Sequence, residues 1–136
     1  MFIDERSLWP GGDLVTAELV VRTAFLDRYP DTVRALLDAH LDALVWAQTN
    51  PSDARAAVTE AIRKRSGVLL APSIIDAAWS TVRLTNDPGS ASFARSTDDA
   101  FHLGFLRSGP VGVNGLVALG PLNEVLQARG LAPIAQ

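Results

Sequence analysis

The stretch Leu14-Val15-Thr16-Ala17-Glu18-Leu19-Val20-Val21 decides how this chain is classified. It follows Trp9-Pro10-Gly11-Gly12, a cluster in which proline and two glycines interrupt regular structure. Val15, Thr16, Val20 and Val21 are β-branched, and a short run of this kind after a turn signal is the pattern of a strand. Ala17 and Glu18 also admit a helix. The reading taken here is a strand over residues 14–21.

Downstream, helical periods take over. Within residues 31–49, Val33, Leu36, Leu37, His40, Leu41, Leu44 and Val45 recur at spacings of three and four, with Arg34, Asp38 and Asp42 on another stripe. One continuous amphipathic helix is expected, with Leu37, Leu41 and Leu44 buried. Asn50-Pro51-Ser52-Asp53 then reads as a cap, a first-turn proline and an acid, opening a second helix. Its inner face would carry Ala54, Ala57, Val58, Ala61 and Ile62, and Arg63-Lys64-Arg65 with Gly67 would end it. A short helix from Ser73 would turn Ile75, Ala78, Trp79 and Val82 inward. A brief extended piece, Val82-Arg83-Leu84, then breaks at Thr85-Asn86-Asp87-Pro88-Gly89. Phe93, Thr97, Phe101 and Phe105 predict a helix over residues 90–106, and a last one runs from near Pro121 to before Gly130, with Leu122, Val125 and Leu126 inward. Five or six helices against one or two strands make the chain mostly α.

Composition narrows the function. The 136 residues carry a formal net charge of −3, which argues against nucleic acid or an anionic membrane as the main partner. With 48% hydrophobic residues the chain has the material for a core. Cys 0 removes disulfides, thiolate metal sites and a cysteine nucleophile. No apolar run approaches the ~20 residues that span a bilayer. Met1-Phe2-Ile3-Asp4-Glu5-Arg6 places acids where a signal peptide is basic and then apolar, so no export signal is read in this chain.

The side chains specify no reaction, and no metal site or cofactor is expected. His40 shares a stripe with leucines and reads as a packed or edge-of-core residue. His102 reads as part of a solvated face. Asp98 and Asp99 are adjacent and diverge by roughly 100° around a helix, so they do not form a carboxylate dyad. Arg63-Lys64-Arg65 complements a helix C-terminus more simply than it binds phosphate. Gly11-Gly12 lacks the spacing and the lysine of a phosphate loop. Trp9, Trp46 and Trp79 read as core or interface anchors.

Several segments, taken in order, resemble one family. Leu8-Trp9-Pro10-Gly11-Gly12-Asp13-Leu14-Val15-Thr16, Leu19-Val20-Val21-Arg22-Thr23-Ala24-Phe25-Leu26 and Tyr29-Pro30-Asp31-Thr32-Val33-Arg34-Ala35-Leu36-Leu37 form a first block. Ala77-Ala78-Trp79, Leu84-Thr85-Asn86-Asp87-Pro88, Asp98-Asp99-Ala100 and Gly104-Phe105-Leu106 form a second, and Pro121-Leu122-Asn123-Glu124-Val125-Leu126 with Gly130 closes the series. Together they are similar to the C-terminal portion of solute-binding proteins of ABC importers for aliphatic sulfonates, nitrate and bicarbonate. Each motif is weak; their order and spacing across nearly the whole chain carry the resemblance.

The resemblance implies an α/β fold of the type II periplasmic-binding-protein kind. Only its C-terminal part would be present, as a single partial domain over residues 1–136, mostly helical with one or two hinge strands. It implies capture rather than catalysis: a small anion such as a sulfonate is desolvated between two lobes and presented to an ABC permease outside the cytoplasm. The implied ligand-binding residues are Asp13 and Thr16 at the turn into the strand, and Thr85 and Asn86 at the break after Leu84. Threonine and asparagine offer neutral donors to an oxyanion, whereas Asp13 would suit only an amine on the solute. Thr85-Asn86-Asp87-Pro88-Gly89 is equally read as plain turn and helix-entry chemistry. Two other classes stay open: an enzyme on the same fold, of the thiamine-precursor synthase or sulfinate desulfinase type, and an independent helical interaction module. Unpaired strand edges and apolar helix stripes further predict a homodimer.

Overall fold

A computed structural model of the chain describes residues 3–107 and 115–135. Two short 3₁₀ turns, Glu5–Leu8 and Pro10–Gly12, precede six helices: α1 (Thr23–Arg28), α2 (Pro30–Thr49), α3 (Pro51–Ser66), α4 (Pro72–Trp79), α5 (Ser90–His102) and α6 (Leu119–Ala128). The chain divides into two compact units, one of Ala35–Asn86 and one of Met1–Arg34 with Asp87–Gln136. The first boundary falls inside α2, which continues unbroken past it.

The α/β expectation is overturned. Helix accounts for 63% of the described residues, and no strand occurs among them, so neither hinge strand exists as such. Residues 14–21 are neither helix nor strand, and Val82-Arg83-Leu84 is not a strand either. The physical reason is that β-branched residues fit a pleated surface but do not create one. A strand is defined by its neighbour, and no described segment lies alongside residues 14–21 to complete the ladder.

The helical expectations fare better, with local exceptions. α2 spans the predicted residues without a break near His40, starting on Pro30 with Asp31 in its first turn. It buries Val33, Leu41 and Ala47, while Leu37 and Leu44 are only half-buried and His40 is exposed. His40 is therefore not a core residue. Asn50 does not cap α3 with its side chain; its amide donates to the Trp46 carbonyl at 3.1 Å, serving the end of α2. The terminal carbonyls of α2 take this bond because Pro51 forbids continuation and moves Asn50 out of helical backbone.

In Ala35–Asn86, α3 packs against α4, with Ala54 and Ile75 buried and Arg55 to Asp76 at 3.3 Å across the pair. Val58 and Val82 are exposed, as are Ala57, Ala61 and Ala78, so the buried stripes are narrower than the sequence suggests. α3 ends in a left-handed Gly67 as predicted. In the other unit, α6 is the best-buried element, with Leu119, Leu122, Val125 and Leu126 all enclosed. Arg34 reaches Glu124 at 2.6 Å and Asp31 at 2.5 Å, fastening the start of α2 to α6. α5 stops at His102 rather than continuing to Leu106. Gly104 takes positive φ, and the N–H of Phe105 closes on the Ala100 carbonyl at 2.9 Å. Phe101 and Phe105, whose spacing helped mark the helix, are exposed, Phe105 by 80%.

Candidate functional site

The turn into residues 14–21 is built on the N-terminal end of α5. The Pro10–Gly12 turn packs on α5, and the hydroxyl of Ser92, a buried polar residue, donates to the Asp13 carbonyl at 2.6 Å. Asp87 accepts from the Gly89 N–H at 2.8 Å, closing the loop that enters α5. Gly89 has φ 68°, and a Cβ there would lie 2.5 Å from Val15 Cγ2. Backbone of residues 13–15 and the α5 entry are thus locked together. Thr16 lies just beyond and is exposed, as is Asp13. Burial raises the Glu18 carboxyl above its usual value, and the carboxylate of Asp87 adds to the shift. Two carboxyl groups this close make the stretch a poor surface for an anion.

Thr85 and Asn86 fall in the other unit, where both are half-buried. They follow directly on an open recess of about 280 Å³ between the end of α2 and the segment after α4. Its lining is made of the apolar Ala47, Pro51, Trp79, Val82 and Leu84 and the polar Gln48 and Arg83. The Gln48 amide donates to the Leu84 carbonyl at 3.4 Å, holding the chain at the rim of the recess. Of the four residues expected from sequence, Asp13 and Thr16 belong to one unit and Thr85 and Asn86 to the other. Sequence reasoning missed Arg83 and Gln48. The signal for Arg83 was available, since it is the one cation next to the Thr85-Asn86 break. Gln48 gave none, because a glutamine near a helix end is common.

The remaining candidates resolve as ordinary surface chemistry. Arg63 makes two bonds of 2.7 Å to Glu60, and Lys64 lies 3.6 Å from the same carboxylate, which is held below its usual range chiefly by Arg63. Asp99 pairs with Arg95 at 2.8 Å and Asp98 lies 3.5 Å from His102, so the two acids point to different partners. Among the described residues no three His, Asp or Glu side chains gather as a metal site would require. No described helix is long and apolar enough to cross a membrane. Trp79 lines the recess and Trp9 is half-buried, its indole N–H enclosed without a hydrogen-bond partner among the described residues; Trp46 is 44% exposed.

Comparison with protein-family models gives no match, and neither curated proteins nor solved structures give a significant one.

Proposed function

We propose that the chain serves in the capture of a small oxyanion with an apolar tail, an aliphatic sulfonate by preference, for delivery to an ABC permease. The observation that carries this reading is the open recess that Thr85 and Asn86 follow in the chain, whose lining includes Gln48, Arg83, Trp79 and Val82. An alkanesulfonate has the matching polarity: a charged head for a guanidinium and neutral donors, and a short chain for an indole and a valine. At about 280 Å³ the open recess has room for a few-carbon solute. The order and spacing of the sequence blocks that resemble sulfonate-binding proteins support the same class.

Titration calorimetry with butanesulfonate, methanesulfonate and nitrate tests it. Butanesulfonate should bind most tightly, through burial of its chain. Arg83→Gln, and Thr85→Ala with Asn86→Ala, should each weaken binding by about 1–3 kcal/mol through lost hydrogen bonds. Equal affinity of the wild-type chain and these variants removes the recess from consideration, and absence of heat with all three anions removes the reading for this chain.

A further inference from the structure

Residues 13–22 run without helix, turn or bend, and the backbone is extended at both ends, with φ −107°, ψ 114° at Asp13 and φ −67°, ψ 137° at Arg22. Among the described residues, no backbone N–H or C=O of residues 14–21 has a hydrogen-bond partner. Leu14 and Val15 are half-buried beside α5, but residues 16–22 are exposed, Val20 by 86% and Leu19 by 50%. A run of exposed backbone with no hydrogen-bond partner among the described residues, and with consecutive apolar side chains, is a template for another strand. We propose that residues 18–22 pair antiparallel with the same residues of a second copy of this chain, about a two-fold axis through Val20.

Charge and backbone chemistry select both the occupant and the register. In an antiparallel pair, residues directly opposite each other point to the same face. A two-fold axis normal to the ribbon therefore passes midway between a residue and its own copy, and is identified by that residue. With the axis on Glu18, two carboxylates oppose each other directly. Centring on Leu19 sets Glu18 against Val20 and leaves the two Glu18 side chains diagonal neighbours. An axis through Val20 puts Glu18 opposite Arg22 of the second copy, twice, and packs Leu19 against Val21. Arg22 makes no ion pair within its own chain among the described residues, so its charge is available.

The Arg22 carbonyl is already taken, accepting from Phe25 at 2.8 Å and Leu26 at 3.0 Å at the start of α1. The Val20-centred ribbon accommodates this. When Leu19 and Val21 form the hydrogen-bonded pairs, Val20 and the Glu18–Arg22 positions are the closely spaced non-bonded pairs, and Arg22 contributes its side chain alone. α1 begins at Thr23 and ends the ribbon there. A foreign strand would need an acid and a base four residues apart in the same register; a second copy has them by symmetry. This inference is independent of the solute-capture reading.

The test is sedimentation velocity on the full chain, from about 10 μM to about 1 mM, a span chosen because a ribbon this short associates weakly. The wild-type chain should self-associate to a dimer. Glu18→Arg alone and Arg22→Glu alone should each raise the dissociation constant about tenfold or more, by turning both cross-strand pairs into like-charge pairs. The double variant should return close to wild type, and an equimolar mixture of the two single variants should dimerise better than either alone. Val21→Pro should also lose association by deleting a ladder donor, with helical circular dichroism unchanged in every variant. A wild-type chain monomeric across the range overturns the proposal. So does a dimer indifferent to the charge reversals and to the proline.

Discussion

Replacing Gly89 by alanine should destabilise the chain far more than an exposed loop glycine normally would. Two separable costs arise. Gly89 sits at φ 68°, where a residue with a Cβ loses about 1–2 kcal/mol. The new methyl would also lie 2.5 Å from Val15 Cγ2, well inside contact distance, and forcing extra volume into a packed site costs about 1–3 kcal/mol. Reduced freedom of the unfolded chain returns about 0.4–1 kcal/mol. The net expectation is a loss of about 2–4 kcal/mol. Gly104, at the far end of the same helix, is the internal control: φ is 78° but nothing lies within 4 Å of its would-be Cβ. Gly104→Ala should therefore cost only the backbone part, about 1 kcal/mol after the same correction. Urea titration followed by circular dichroism gives both numbers. Adding Val15→Ala to Gly89→Ala removes the clashing methyl, so the double variant should be less destabilised than the two single losses combined, by about 1–2 kcal/mol. Equal costs at Gly89 and Gly104, or strict additivity with Val15→Ala, would refute the claim that residues 13–15 are seated on the α5 entry.

The other expectations concern the core and the pH profile. Leu126→Ala, at the least exposed side chain of α6, should cost about 2–5 kcal/mol by the same titration, and Val125→Ala somewhat less. Glu18 has a folded-state pKa raised above its unfolded value, first by burial and then by Asp87, so the native chain binds its proton more tightly. Its contribution favours folding at low pH and is lost as pH rises from the ordinary carboxylate range through the raised value. Glu18→Gln should flatten that limb of the melting-temperature profile and leave the neutral-pH chain no less stable than wild type. Glu60 works in the opposite direction: its lowered pKa gives stability that is present at neutral pH and lost as pH falls through the lowered value.

The amino-acid sequence by itself determined five of the six helices, all but α1. The three-and-four spacing around Leu41 placed α2, Pro51 and Gly67 bounded α3, and Leu122, Val125 and Leu126 marked the inner side of α6. Those features are local: helix hydrogen bonds close within four residues, and caps act on the turn beside them. Thr85 and Asn86 were also legible, as polar residues in a break between helices. What spacing did not give was burial. Phe105 shares the four-residue interval of Phe93 and Phe101, yet Gly104 ends α5 before it and leaves the ring in water. His40 lies on the stripe of Leu37 and Leu44 but at its exposed edge. Whether residues 14–21 would be a strand was beyond any local pattern, since a ladder needs a second segment at the right distance and register, and among the described residues none stands there. Tertiary structure alone decided that, and it alone brought Arg83 and Gln48, distant in sequence, to one recess. Periodicity says which side of a helix is apolar; only the packed chain says what, if anything, that side meets.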